Sequence, residues 1–429
     1  TKAERRELQE RQRAAKATLA AGSSKASAPG SGGGGGGGAA GAAAGTGGSS
    51  TVTTAGSRGA GAAKASTHAS DVFRGQSKTV QLFSHLVGYD KGAEAASDVW
   101  LSSSEIHPSV ALLGQRYASG SVRGANARAI AMLGAFKDVI RDYQTPAGTA
   151  LSRDLVKHLL PMIQFLIDCR PHSISMGNSI KFVKTAVAHV PPEMSEADAK
   201  AKLIDEIDAY ERIVISAASI AEAAVQKITD GDVILTYGSS SLVESILTAA
   251  IRGGGGGGAS FRVIVVDSRP GLEGRRMAQR LSNAGIDCTY VLLNGMAYIM
   301  REVTKVFVGA SALMANGAAL SRVGTALVAM MARSHNIPVL FCCETYKFCE
   351  RVQLDAIVHN ELGHPAELLG SERAFEDAKA VAGLQFLNLR YDLTPIKYVS
   401  LVVTEVGFIP PTSVPVLIRE LTRKEEKGG

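Results

Sequence analysis

A chain of 429 residues, 45% hydrophobic and 20% charged, is long enough for two domains that each bury a core of their own. Its formal charge of +6 is local: residues 1–70 hold nine basic and three acidic side chains, and the rest carries 37 of each sign. That neutral body excludes a broad nucleic-acid-binding face, and the lack of any apolar run of about 18 residues or of a secretory leader pattern argues against a membrane span or export.

The five cysteines, Cys169, Cys288, Cys342, Cys343 and Cys349, are odd in number and lack a paired C-x-x-C pattern. They fit a reducing compartment better than a disulfide framework, so an intracellular chain is expected. The chain begins at Thr1, and upstream sequence is expected to have been removed. Lys2 to Lys16 has helix propensity but no apolar face, and residues 22–70 are Gly, Ala, Ser and Thr with almost nothing to bury. Residues 1–74 are therefore expected to form a disordered basic tail, read as a solubilising extension in preference to an RNA or ribosome contact.

Residues 75–230 read as an α-helical domain, punctuated at His107-Pro108, Thr145-Pro146, Arg170-Pro171 and Pro191-Pro192. Helices are predicted from Pro108 to Ala118, Asn126 to Tyr143, Ser152 to Cys169, Met176 to His189 and Ser195 to Thr229. Ser152 and Ser195 are the expected N-caps, each followed by acids in the first turn where they meet the helix dipole.

From residue 231 to 429 the period changes. Asp232–Tyr237, Phe261–Asp267, Thr289–Leu293, Lys305–Gly309 and Pro338–Cys343 are short apolar runs separated by helical stretches. Strands buried on both faces and alternating with helices predict a doubly wound, Rossmann-like parallel sheet, giving an α/β domain behind the helical one. The run Gly253 to Gly258 falls between a helix and a strand and reads as a solvent-facing spacer.

In such a sheet a ligand sits beyond the carboxyl ends of the strands, so the segments that follow each strand are the informative ones. Tyr237-Gly238-Ser239-Ser240-Ser241 offers amides and hydroxyls that could cradle an anion, or form a capped turn. Asp267-Ser-Arg-Pro-Gly-Leu-Glu-Gly-Arg-Arg brings Arg269, Glu273, Arg275 and Arg276 to one helix start, which suits either an anion between the cations or salt bridges with Asp267 and Glu273. After the fourth strand, Asn316-Gly317 favours positive φ and Arg322 is expected to open a helix. Cys342 and Cys343 adjoin on a strand and face opposite sides, so shared metal ligation with Cys349 is not expected; His107, His158, His189 and His335 are scattered. Neither a metal nor a cofactor is predicted.

Several motifs together carry a resemblance: Val265-Val-Asp-Ser-Arg-Pro with Glu273-Gly-Arg, Ala315-Asn-Gly with Ser321-Arg-Val-Gly-Thr, Cys343-Glu-Thr-Tyr-Lys-Phe-Cys-Glu-Arg-Val, Asn360-Glu-Leu-Gly, Asn388-Leu-Arg-Tyr-Asp-Leu-Thr-Pro and Thr404-Glu-Val-Gly-Phe-Ile-Pro. Over residues 78–420 the chain resembles the family that joins methylthioribose-1-phosphate and ribose-1,5-bisphosphate isomerases with the regulatory subunits of eukaryotic translation initiation factor 2B. The segment Cys169-Arg-Pro-His-Ser-Ile-Ser-Met-Gly-Asn-Ser-Ile-Lys-Phe and the ending Thr412-Ser-Val-Pro-Val-Leu lean toward its delta-type branch. The isomerases of the family use a Cys after strand one and the Asp of a Gly-Ala-Asp-Arg motif after strand four. Here those places read Tyr237-Gly238-Ser239 and Gly309-Ala310-Ser311-Ala312. A Ser hydroxyl is too weak an acid or base to replace the carboxylate unaided, so no isomerase activity is expected.

The resemblance implies a non-catalytic, cytosolic regulatory subunit of the guanine-nucleotide exchange factor for translation initiation factor 2. It would pair with a beta subunit, join alpha, gamma and epsilon subunits, and sense the phosphorylated alpha subunit of factor 2. By similarity, Arg153, Glu211 and Ile215 are candidates for the partner surface, the last two lying four apart on one helix face. The apolar segment Val80-Gln-Leu-Phe-Ser-His-Leu, with Val80 and Leu82, is placed in a subunit contact. Ser239, Ser240, Arg269, Arg275, Asn316, Gly317 and Arg322 mark a vestigial ligand pocket. An isomerase-like enzyme, or a sensor of a sugar phosphate or nucleotide, stays open as the alternative.

Overall fold

The computed structural model describes residues 80–86, 106–191, 193–215, 218–253, 258–381 and 383–427. The expectations for the tail lie outside them. The helical region comprises α1 (Pro108–Ala118), α2 (Ala125–Asp142), α3 (Leu151–Cys169), α4 (Ile174–Ala188), α5 (Glu196–Ile215) and α6 (Ala218–Val225). Pro108 opens α1, where a missing N–H costs nothing, and His107 Nδ1 accepts from the Ser109 amide at 3.3 Å. Ser195 caps α5 as expected, accepting from the Asp198 amide at 3.2 Å.

Two expectations fail here. Helix α3 starts one residue early, with Ala150 at the N-cap, so Ser152 lies inside the first turn. The helix predicted from Ser195 to Thr229 stops short, at Val225, and is described as α5 and α6, residues 216 and 217 between them lying outside the described residues. Leu155, Leu159, Met162 and Leu166 recur at three- and four-residue spacing along α3 and are buried with Met132, Phe136 and Ile140 of α2 in one core.

The second region runs β1 (Val233–Tyr237), α7 (Ser241–Arg252), β2 (Arg262–Asp267), α8 (Gly274–Asn283), β3 (Asp287–Leu292), α9 (Met296–Ile299), β4 (Lys305–Gly309), β5 (Ala312–Met314), β6 (Ala319–Arg322), α10 (Thr325–Ser334), β7 (Val339–Cys342), β8 (Phe348–Cys349), α11 (Pro365–Leu369), α12 (Glu372–Lys379), β9 (Tyr391–Thr394), β10 (Leu401–Thr404), β11 (Gly407–Ile409) and α13 (Val414–Lys427). The main sheet has seven strands in the order β11-β10-β7-β4-β1-β2-β3, parallel except for β11. The five predicted strands form its centre and one edge, in doubly wound order with the switch between β1 and β4. Alternate residues feed two cores: Leu235 and Cys343 on one face, Ile234 and Cys342 on the other. Burial pushes both thiols up, so they are inert core groups.

A second sheet, β8-β5-β6-β9, was not predicted. It corrects the reading of the segment after β4: Ala312 to Arg322 is a β-hairpin, Arg322 ends β6, and α10 begins only at Thr325. The helical region docks on the loop after β7. Asn126 Nδ2 donates to Glu344 Oε1 at 2.9 Å, Asn178 Nδ2 donates to the Tyr346 and Phe348 carbonyls at 2.8 and 3.1 Å, and Arg170 pairs with Glu361 at 2.7 Å.

Candidate functional site

Beyond the carboxyl ends of β1 and β2 lies a narrow cleft bordered by Tyr237, Gly238, the loop Asp267–Glu273, Arg322 and the stretch Asn388–Arg390. Tyr237, its pKa raised by burial, donates to the Val323 carbonyl at 2.6 Å and shares a 2.7 Å hydrogen bond with Ser268 Oγ. Asp267 is buried and accepts three hydrogen bonds: Oδ1 accepts from the Ser268 amide at 2.9 Å, and Oδ2 accepts from the Arg275 amide at 3.1 Å and from the Tyr290 hydroxyl at 3.0 Å. It ties the start of α8 to β2 and β3.

Of the residues placed in the pocket from sequence, only Arg269 and Arg322 line this cleft. Arg322 pairs with Glu273 at 2.9 Å, so one of the two expected salt-bridge acids is used, but by an arginine from another strand. Arg275 contributes its amide to Asp267 while its side chain is exposed. Ser240 caps α7, accepting from the Val243 amide at 3.4 Å, so the turn after β1 is a cap; Ser239 is exposed beside Arg280, which is itself held by Glu244 at 2.6 Å.

Asn316 and Gly317 lie in the β5–β6 hairpin and not on the cleft wall. Asn316 Nδ2 donates to the Gln353 carbonyl at 2.8 Å and its Oδ1 accepts from the Ala318 amide at 3.2 Å. Gly317 has φ +76, and a Cβ there would stand 2.5 Å from the Pro411 carbonyl oxygen. Both are turn residues. Sequence reading missed Arg390 and Asn388 as cleft residues although they stand in a motif already noted; the long segment between β8 and β9 hid which strand end they would reach.

At the place of the isomerases' acid, the Ser311 amide is used by the Leu320 carbonyl in the hairpin at 2.8 Å. The neighbouring Ala310 carbonyl accepts from Lys347 Nζ at 3.4 Å, and Lys347 is paired with buried Glu344 at 2.6 Å. Among the described residues no group of His, Cys, Asp or Glu is arranged to hold a metal ion, and no helix is long and apolar enough to cross a membrane.

The partner candidates are scattered over the surface. Arg153 is exposed in the first turn of α3. Glu211 is already committed, holding Lys137 at 2.7 Å together with Asp208 at 2.6 Å, while Ile215 at the end of α5 is 59% exposed. Val80 is half-buried and Leu82 exposed, flanking a single 3-10 turn, Gln81–Phe83, whose Phe83 is buried. His85 Nε2 lies 2.9 Å from the Ile357 carbonyl, which sets this segment beside a loop that exposes Val352, Leu354 and Val358.

A sequence model of the Initiation factor 2 subunit family matches residues 121–411. The chain is 46% identical over 361 residues to translation initiation factor eIF2B subunit delta of Dictyostelium discoideum, covering 81% of this chain but 57% of that protein. It is 42% identical over 355 residues to the same-named subunit of Schizosaccharomyces pombe, covering 80% of this chain and 74% of that one. Its fold is similar to that of a chain in the crystal structure of the tetrameric eIF2B-beta2-delta2 complex from C. thermophilum, with a TM-score of 0.65, 34% identity, and coverage of 77% of this chain and 99% of that one.

Proposed function

Because the chain belongs to the Initiation factor 2 subunit family, we propose that it is a non-catalytic regulatory subunit of the guanine-nucleotide exchange factor for translation initiation factor 2. The observation that carries this reading is the replacement of the catalytic pair: the place of the Cys after β1 reads Tyr237-Gly238-Ser239 and leads into the Ser240 cap, and the place of the Asp is Ser311, whose amide serves a hairpin. With neither member of that pair in place, the fold works as a scaffold. It pairs with a beta-type subunit in the cytosol, joins alpha, gamma and epsilon subunits, and presents its helical region to factor 2.

The apolar loop with Val352, Leu354 and Val358, beside Leu82, supports a subunit contact, because such side chains gain most from being covered. Exposed Arg153 and Ile215 are the contacts for the alpha subunit of factor 2, whose phosphorylation is read through the reshaping of that partner's own loop rather than by a direct arginine–phosphate pair. Sedimentation of the full chain, alone and with a beta-type subunit, tests the reading. A mixed complex is expected that prefers phosphorylated over unphosphorylated alpha subunit, a preference lost in Arg153→Ala. Failure to associate, or sustained turnover of methylthioribose 1-phosphate, would overturn it.

A further inference from the structure

The cleft beyond β1 and β2 is lined by three arginines, Arg269, Arg322 and Arg390. Arg390 is neutralised from outside the lining, by Glu367 at 2.7 Å. Arg322 is neutralised from within: Glu273, its partner at 2.9 Å, stands on the same wall. Gly271 makes that approach possible, since a Cβ there would meet the Arg322 guanidinium at 2.8 Å. What stays open is about 10 Å³, room for roughly one water molecule and too little for a phosphate group.

We propose that Glu273 is a built-in anion, a carboxylate that takes on Arg322 the place a phosphate of a diffusing ligand would take, and so keeps the cleft shut. The competition favours the tethered group. A carboxylate held on the neighbouring loop acts at an effective concentration in about the millimolar range or above, so a free anion of comparable intrinsic affinity does not displace it. The pair is 30% and 28% exposed, which keeps its own worth modest and makes the closure reversible by a single change of charge. Without the Glu273 charge, Arg322 and Arg269 would face the cleft together, and the remaining acid, Asp267, already has its donors. The ligand class such an opened cleft takes is a small oxyanion.

The test measures thermal unfolding of the full chain against inorganic phosphate, at ionic strength held constant with chloride. The unaltered chain is expected to show no saturable rise in midpoint. Glu273→Gln is expected to show one, with apparent phosphate affinity tightened roughly ten-fold or more, and the double variant Glu273→Gln with Arg322→Met to lose it. Two results overturn the proposal: a saturable rise in the unaltered chain equal to that of Glu273→Gln, or a Glu273→Gln chain with unchanged circular dichroism that ignores phosphate. Should that variant not fold, Glu273→Ser is read in the same way. Subunit pairing is not involved, so either outcome leaves the sedimentation result standing.

Discussion

Asp392, on β9, shows how a single carboxyl can cost the fold something. Its Oδ2 accepts from the Gly324 and Ala326 amides at 2.7 and 2.9 Å, at the amino end of α10, where negative charge is favoured. Its Oδ1 has no partner among the described residues, and burial outweighs the donors and pushes the carboxyl up to about 6. A native pKa above the unfolded value means that the folded chain binds the proton more tightly. Stability should therefore fall as pH rises from about 4 to about 6 and level off above, with a contribution on the order of 2–3 kcal/mol. Denaturant unfolding at pH 4 and pH 7.5 should show this loss, and Asp392→Asn should flatten it; an identical slope in the variant would assign the pH dependence elsewhere.

At the scale of one element, α3 carries an internal proline. Pro161 is exposed in mid-helix, so it removes a backbone donor without adding core packing. Pro161→Ala should raise stability by about 1–2 kcal/mol, less than the full helix-propensity difference because proline also restricts the unfolded chain; the denaturant midpoint reads it. The helix itself was legible from sequence, as were β1, β2, β4 and β7, because each buries a periodic or continuous apolar run. The second sheet was not. Its strands are two to four residues long, and they pair with distant partners such as β9 with β6, so no local period announces them. The cleft was half legible for the same reason. Position after a strand pointed to Arg269 and Arg322, but which arginine Glu273 would hold is a tertiary fact, and Ser240 proved to be a cap.

For the whole molecule, the joint between the helical and α/β regions is the polar cluster around Glu344. Burial opposes the charge of this carboxyl, yet Lys347 and the Asn126 amide hold it below the usual carboxylate range. Tyr346 reaches from the same loop to the Val214 carbonyl on α5 at 3.2 Å. Residues 106–427 should therefore melt in one calorimetric transition, with stabilities of the two regions linked. Glu344→Gln strands the buried Lys347 ammonium and should cost about 3–5 kcal/mol, with α2 and α5 loosening ahead of the sheet; hydrogen exchange that protects both regions equally in the variant would separate them from this joint.

The glycine run from Gly253 to Gly258, of which residues 254–257 lie outside the described residues, has a practical consequence. Its base is pinned, with the Ala259 amide donating to the Ala250 carbonyl at 3.1 Å, and it feeds the amino end of β2, whereas the arginine cleft lies at the carboxyl end. The six residues of β2 separate the two by about 20 Å. Lengthening such a loop is cheap, about 0.6 kcal/mol per doubling. The run is thus a natural grafting point, where a fluorophore or an epitope would make this chain visible inside a larger assembly while leaving the arginine cleft untouched.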